Sequence, residues 1–264
     1  MHTNRKTFWV TGASSGIGKA LALELLNTNY KVILSARNKT ALEQVKFASK
    51  NSNNAKILVL DLEKHDTFDK IVTDAIALFG KIDVVIHNGG ISQRSLAKDT
   101  ILEVDKKIFA INYFGTVGLT KAILPYFIKQ KSGHFAVVTS VVGKIGTPLR
   151  SSYAASKHAL HGFFDSLRAE SFANNIKITL ICPGYVQTNV SINALLGDGS
   201  KQNTMDKATK NGLTPQFVAK KILKAIKKQK EEVVIGGKLE KFSVYAKRFF
   251  PKVLSKLVRK IPVT

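Results

Sequence analysis

The sequence predicts a doubly wound α/β fold: a Rossmann-type parallel sheet of about seven strands, helices on both faces, in a single domain. Short apolar runs alternate with longer amphipathic stretches along most of the 264 residues, the rhythm of parallel strands joined by right-handed crossovers. The runs are almost continuously apolar rather than alternating, as strands are when helices cover both faces. A glycine-rich turn follows the first run directly, where this architecture binds ligands at the carboxyl ends of its strands.

Residues 7–10 (Thr-Phe-Trp-Val) read as the first strand, followed by a glycine loop and a helix over 17–27. Residues 31–35 are the second strand and 39–49 a polar helix. The third strand spans 56–60 and ends at Asp61; a helix over 66–79 leads to a fourth strand over 82–86. A long helix near 105–123 precedes the fifth strand, 133–139. A helix over 153–173, a sixth strand over 176–181 and a seventh over 232–235 complete the pattern. The catalytic domain is expected over 1–237, with a basic amphipathic extension over 238–264.

Composition narrows the setting. Hydrophobic residues make up 44% and charged residues 22%, ordinary for a globular protein. Cys182 is the one cysteine, which excludes an internal disulfide and points to a reducing, cytoplasmic compartment. Residues 1–6 run straight into an apolar stretch too short for a signal peptide, and no stretch is expected to reach the roughly 20 apolar residues of a membrane span. The net charge is +23, and residues 207–264 hold 16 Lys and Arg against 3 acids. Such asymmetry fits either a solvated lysine-rich surface or an anionic partner. No nucleic-acid motif or aromatic platform accompanies the charge, so nucleic acid is not expected as a partner.

The turn reads Thr11-Gly12-Ala13-Ser14-Ser15-Gly16-Ile17-Gly18. Glycines permit the tight turn and let backbone approach a pyrophosphate, while the helix that follows offers free N–H groups and the positive end of its dipole. Gly12, Ser14, Ser15, Gly16, Ile17 and Gly18 are therefore candidate nucleotide contacts. At the end of the second strand, Ser35-Ala36-Arg37-Asn38 contains no carboxylate. An acid there would accept the ribose hydroxyls of NAD and repel a 2′-phosphate; Arg37 can instead form charge-assisted hydrogen bonds to one. NADP(H) is thus expected over NAD(H), with Arg37 and Asn38 at the phosphate.

Tyr153 and Lys157 lie four residues apart and share one face of a helix. Chance alone supplies about one such pair in a chain this rich in lysine; the weight comes from its place after the fifth strand, with Ser140 at that strand's end. Together the glycine loop, Ser140 and Tyr153-Ala154-Ala155-Ser156-Lys157 resemble the classical short-chain dehydrogenase/reductase family. The resemblance covers about residues 7–188. It implies that Asp61 and Leu62 lie beside the adenine, that Asn88-Gly89-Gly90 stands for Asn-Ala-Gly, and that Pro183-Gly184-Tyr185-Val186-Gln187-Thr188 is the family's PG-x-V-x-T. In that segment Val186 and Thr188 would contact the carboxamide. It further implies that Tyr153 exchanges a proton with a carbonyl or alcohol oxygen, that Lys157 lowers the phenol's pKa and holds the nicotinamide ribose, and that Ser140 hydrogen-bonds the substrate oxygen. Asn112 matches the asparagine that positions a relay water. Gly89 departs from the pattern by one methyl. NADP-type members often carry a basic residue where this chain has Ser15, so the NADP preference rests on Arg37. Homodimers or homotetramers through the long central helices are implied as well.

Ser92-Gln93-Arg94-Ser95-Leu96 and the residues flanking Tyr153 resemble the 11-beta-hydroxysteroid-dehydrogenase-like and dehydrogenase/reductase member 7-like branch, which acts on lipophilic carbonyls. A mobile cover is expected over 187–212, with Ile192, Leu195, Leu196 and Met205 as apolar lining for such a substrate; an ordinary surface loop is the alternative. In the tail, Phe242, Tyr245, Ala246, Phe249, Phe250, Val253, Leu254, Leu257 and Val258 recur at helical spacing among Lys241, Lys247, Arg248, Lys252, Lys256, Arg259 and Lys260, with Pro251 opening a second short helix. That pattern suits an anionic membrane surface, which would make the protein peripheral to a membrane, or docking on this chain or a sister subunit. His87, His134, His158 and His161 show no metal-ligand spacing, and no metal is expected. The alternatives to an NADP(H)-dependent oxidoreductase are a 3-oxoacyl-carrier-protein reductase, whose acidic carrier would meet the basic surface, and a non-catalytic NADP(H)-binding protein.

Overall fold

The structure, a computed structural model, describes residues 5–259. Lys260 of the expected basic face, and the first four residues of the N-terminal segment read for a leader, lie outside the described residues. Seven parallel strands form one sheet in the order β3-β2-β1-β4-β5-β6-β7. They are β1 (Thr7–Thr11), β2 (Lys31–Ser35), β3 (Ala55–Ile57), β4 (Val84–His87), β5 (Gly133–Val138), β6 (Ile176–Pro183) and β7 (Glu232–Ile235). The order reverses between β1 and β4, so a crevice opens at their carboxyl ends.

Among the described residues, ten α-helices flank the sheet: α1 (Gly16–Asn27), α2 (Lys39–Phe47), α3 (Phe68–Phe79), α4 (Leu102–Phe109), α5 (Gly115–Gln130), α6 (Ser151–Glu170), α7 (Lys207–Lys210), α8 (Pro215–Lys227), α9 (Lys238–Phe249) and α10 (Pro251–Val258). Successive strand residues point to opposite faces. Phe8, Val10, Val32 and Leu34 therefore pack with Leu21, Leu25 and Ile222 in one layer, while Trp9 and Ile33 join Phe127, Phe135 and Phe164 in the other. The buried Trp9 Nε1–H is satisfied by Ser35 Oγ at 2.8 Å.

Several expectations are corrected. The third strand is shorter than 56–60, because beyond Ile57 the edge peels away and keeps only single bonds, Leu58 N–H to Leu34 O and Leu60 N–H to Ala36 O. The long central helix runs from Leu102 to Gln130 through a π-helical turn at Ala110–Phe114. That stretch is long and apolar enough to cross a bilayer, although none was expected; half of its most apolar window is buried, with Val117, Ile123 and Phe127 in the core. Helix α8 was not foreseen. Thr214 caps it, Pro215 opens it, and Val218, Ile222, Ala225 and Ile226 form its buried stripe, but its lysines read as basic tail. Pro251 does begin a second tail helix.

His87 and His134 are buried in the sheet, and each shares one ring nitrogen with a threonine hydroxyl: His87 Nε2 with Thr120 Oγ1 at 2.9 Å, His134 Nε2 with Thr179 Oγ1 at 2.8 Å. Burial pushes the pKa of His87 down to about 3 and that of His134 to about 4. The unfolded chain therefore binds protons below pH 6.5 that the fold refuses, and stability falls as pH is lowered from 6.5 toward those values. Each histidine should cost about 1 kcal/mol by pH 5.5. Urea unfolding midpoints measured from pH 7 to 5 should fall steadily, and His87→Phe should flatten the slope.

Candidate active site

The loop after β1 bends through left-handed backbone at Gly12, φ +64°, and Gly16, φ +52°. A Cβ on Gly12 would lie 2.9 Å from Gly89 Cα, and one on Gly18 would lie 2.1 Å from the Gly12 carbonyl oxygen. The glycines let β1, α1 and the end of β4 converge without side chains between them. A cleft of about 550 Å³ opens there, lined by Gly12, Ser14, Ser15, Gly16 and Ile17, by Arg37 and Asn38, by Asp61 and Leu62, and by Asn88 and Gly89. Ser140, Tyr153, Lys157, Pro183, Gly184, Val186 and Thr188 line it as well. Gly18 and Asn112 do not reach the cleft surface among its lining residues. Gly18 is buried, and its missing side chain allows the Gly12 contact. Asn112 is fully buried in the π-helical turn; its Oδ1 accepts from Ile91 N–H at 2.8 Å, and its Nδ2 donates to Ile91 O at 2.9 Å and Ser156 Oγ at 3.2 Å.

Several lining residues have structural partners of their own. Asn38 caps α2 by accepting from Ala41 N–H at 3.0 Å. Asn88 Nδ2 donates to the carbonyls of Thr11 at 3.1 Å and Gly12 at 3.2 Å. A methyl on Gly89 would crowd only the end of the flexible Leu62 side chain, at 2.7 Å, and would touch Thr11 Oγ1 at an ordinary 3.4 Å, so the position takes a small residue.

Tyr153 occupies the first turn of α6 and Lys157 the next turn, its Nζ 5.9 Å from the Tyr153 ring centroid. Burial raises the Tyr153 pKa above its usual value, while Arg150, a hydrogen bond with Ser140, and Arg94 pull it down. Lys157 is buried and donates to the Val138 carbonyl at 3.0 Å; burial lowers its pKa to about 8. Ser140 Oγ accepts from Val142 N–H at 3.2 Å, at the mouth of β5. Ser140, Tyr153 and Lys157, 17 positions apart in sequence, thus meet at one wall of the cleft.

The segment over 187–212, expected to be a mobile loop, is tied down. Leu195 N–H donates to Ser92 O at 2.9 Å, Leu195 O accepts from Arg94 N–H at 2.8 Å, and Asp206 forms a buried ion pair with Arg94. Of the expected apolar lining only Leu195 faces the cleft; Ile192, Leu196 and Met205 do not line it. Arg94, Arg150 and Tyr185, which do line it, were not assigned to the site from sequence. The partner of Arg94 lies 112 residues away, a pairing no local pattern announces.

His161 also gains unforeseen neighbours, Cys182 and Glu232. Cys182 Sγ faces His161 Nε2 at 3.7 Å, whereas Glu232 Oε2 faces Nδ1 at 3.6 Å, and Lys144 Nζ holds the carboxylate at 2.5 Å. Contacts to opposite ring nitrogens make a polar relay rather than a chelate. Burial keeps the imidazole neutral, with its pKa down to about 4, and pushes the thiol up to about 12.

Residues 6–196 match the family model described as short chain dehydrogenase. The chain is 41% identical to a dehydrogenase/reductase SDR family protein 7-like of Anopheles gambiae, over 98% of this chain and 84% of that protein. It is 39% identical to dehydrogenase/reductase SDR family member 7B of Mus musculus, over 94% of this chain and 79% of that protein. Among solved structures, a short-chain dehydrogenase from Streptomyces avermitilis superposes with a TM-score of 0.81 at 25% identity, over 97% of this chain and 99% of that one.

The buried Lys157 carries a stability cost with a definite sign. Its folded pKa lies near 8 against 10.5 when unfolded, so the fold bears the full cost of a buried ammonium below pH 8 and sheds it as pH rises to 10.5. Lys157→Met should raise the Tm at pH 7 by the equivalent of roughly 1–3 kcal/mol. Thermal melts at pH 7, 9 and 10 should show that gain shrinking with pH.

Proposed function

The chain belongs to the short-chain dehydrogenase family, and on that premise we propose that it is an NADP(H)-dependent oxidoreductase interconverting a carbonyl and a secondary alcohol on a lipophilic substrate. The observation that carries this is the meeting of Ser140, Tyr153 and Lys157 in the cleft that the glycine loop also lines. The residues present suit the dinucleotide. The loop brings glycine backbone at Gly12 and Gly16 to the cleft surface just before the start of α1, and the end of β2 offers the exposed cation Arg37 and no acid. Gly12 to Ile17 would hold the pyrophosphate, Arg37 the 2′-phosphate, Asp61 and Leu62 the adenine, and Lys157 the nicotinamide ribose. Val186 and Thr188 would hold the carboxamide. When bound, the dinucleotide gives or takes the hydride.

The chain's own residues handle the proton. In reduction, Tyr153 gives its hydroxyl proton to the substrate oxygen while Ser140 donates a hydrogen bond to it, stabilising the developing charge. Burial alone would make the phenolate left behind costly; Arg150, Arg94 and the Ser140 hydrogen bond offset that cost. The Lys157 ammonium, one helical turn away, adds to the effect. Asn112 acts by holding Ile91 against α6 through Ser156, which keeps the strand-end loop and the helix of Tyr153 in register.

The tail supports an attachment to anionic lipid in a reducing compartment. Helices α9 and α10 bury Ala246 and Leu254 against Val141 and Ile145, so their inner face docks on this chain. Their outer face leaves Phe242, Tyr245, Phe249, Phe250, Val253 and Leu257 exposed among six described Lys and Arg. Apolar side chains ringed by cations bind a negatively charged bilayer surface.

Two experiments test these proposals. A screen of NADPH and NADH oxidation across carbonyl classes should show turnover with NADPH. Tyr153→Phe should keep NADPH affinity within about twofold and lose about a hundredfold or more in kcat. Arg37→Glu should reverse the preference toward NADH; turnover unaffected by Tyr153→Phe would refute the catalytic assignment. Sedimentation with phosphatidylserine-containing vesicles should pull down the protein, less at high salt. The double variant Phe249→Ser, Phe250→Ser, with an unchanged Tm, should lose most of that binding; full retention would eliminate the lipid-facing role of the tail.

A further inference from the structure

Helix α6 begins without a cap of its own: Arg150 stands at the N-cap position and its side chain makes no capping bond. A helix start leaves N–H groups unpaired, and burying them uncapped is costly. The cap comes from another part of the chain. Gln93, fully buried, accepts at Oε1 from Ser152 N–H at 2.9 Å and Tyr153 N–H at 3.4 Å. Its Nε2 donates to Thr100 Oγ1 at 3.0 Å and Ser151 Oγ at 3.4 Å. One side-chain amide thus fixes the backbone of the turn that carries Tyr153.

The next residue is committed in a different direction. Arg94 donates from Nε at 2.9 Å and from its NH2 group at 2.5 Å to Asp206 Oδ2, and from its NH1 group to Ser92 Oγ and the Gln93 carbonyl. Both members of the ion pair are almost fully buried. Such a pair adds little net stability over apolar packing, so its value lies in placing charge. Backbone bonds from Arg94 to Leu195 and from Ser95 N–H to Leu149 O join the same short segment to the cover and to the approach to α6.

We propose that Gln93 and Arg94 are positioning residues for Tyr153: Gln93 orients the phenol by capping its helix, and Arg94, held in place by Asp206, sets the charge balance around it. The proposal deepens the reading of Tyr153 as the proton-transferring group and rests on it. The charged and polar groups around the phenol are Ser140 from the end of β5, Arg150 at the N-cap before α6, Lys157 from α6, Arg94 from the segment after β4, and Asp206 behind Arg94, 3.7 Å from Arg150. Arg94 favours the phenolate, and the Asp206 carboxylate, paired with Arg94 and 3.7 Å from Arg150, has the charge that would oppose it. Neutralising either member breaks the same ion pair but changes the field at Tyr153 with opposite sign. A purely structural clasp gives no such opposition.

The test uses the full chain carrying Gln93→Leu, Gln93→Glu, Arg94→Gln or Asp206→Asn. The Tyr153 titration is read as the tyrosinate absorbance difference between each protein and its Tyr153→Phe counterpart, alongside kcat, KM and NADPH affinity. Gln93→Leu should lower kcat about tenfold with KM and NADPH affinity within about twofold. Gln93→Glu keeps the capping acceptor, so it should recover most of that kcat while its new charge moves the Tyr153 titration upward. Arg94→Gln should move the titration up and Asp206→Asn down, each by about one pH unit. Unchanged kcat in Gln93→Leu, or shifts of Arg94→Gln and Asp206→Asn that are absent or share a sign, would overturn the proposal. Should Gln93→Leu fail to fold, an unshifted titration in Gln93→Glu decides against it equally well. The absorbance titration needs no substrate, so it judges the positioning roles even if no carbonyl is turned over, and that failure would fall on the proposed activity alone.

Discussion

Two strand ends from opposite halves of the sheet are locked together by Thr11 and Asn88, and the rest of the site hangs on that joint. Thr11 Oγ1 accepts from the N–H groups of both Asn88 and Gly89 at 3.0 Å, and Asn88 returns its side-chain amide to the carbonyls of Thr11 and Gly12. The joint lies where the strand order reverses between β1 and β4, the place at which crossovers diverge and leave a crevice. A side chain on Gly12 or Gly18 would force the joint apart, since each Cβ would fall inside the van der Waals contact of backbone or of Asn88. The glycines therefore serve the protein's own packing as directly as they serve a pyrophosphate.

Once the crevice exists, its floor must hold polar groups out of water. Lys157 and Tyr153 carry opposite problems: burial drives the amine toward its neutral form and the phenol toward its protonated form. Neither shift is useful alone for proton transfer. Cations placed around the phenol bring its two protonation states closer in energy, and two of them, Arg94 and Arg150, come from segments outside the strand–helix repeat that built the crevice. The charge around the phenol is thus set by loops laid across a scaffold whose strands only position it.

The scaffold was legible in the sequence because its signals are local. Continuous apolar runs such as Lys31–Ser35 and Gly133–Val138 can be read one strand at a time, and the glycine loop announces itself by its place after the first of them. The paired Tyr153 and Lys157 gained meaning from their place after the fifth strand, with Ser140 at its end, and from the family resemblance that place completes, since their spacing alone is no better than chance. Helix α8 carried a cap, a proline at its first turn and a regular apolar stripe, yet its lysines masked them. Arg94 with Asp206, Gln93 with Ser152, and His161 with Cys182 and Glu232 could not be read at all. Each joins residues far apart in sequence, and a polar side chain at an apolar position looks the same before folding whether it is paired or exposed. The order of the segment over 187–212 was hidden for the same reason: glycines suggested freedom, and the buried carboxylate that removes it is visible only with its partner.

The C-terminal helices are part of the site rather than an appendage. The Glu240 carboxylate of α9 lies 2.6 Å from where a Cβ on Gly184 would be, and it accepts from Tyr185 N–H at 3.5 Å. Leu239, Leu254 and Val258 close a second, smaller cavity of about 100 Å³ whose other wall includes Ser140, Arg150 and Tyr185. The wall that α9 and α10 present inward is therefore continuous with the turn after β6, and the wall they present outward is the most apolar and cationic surface of the tail. A contact that engages the outer face acts on helices that also shape the inner one. A side chain on Gly184 would meet the Glu240 side chain, so a substitution there should alter the packing of α9 beside the space that Ser140 lines.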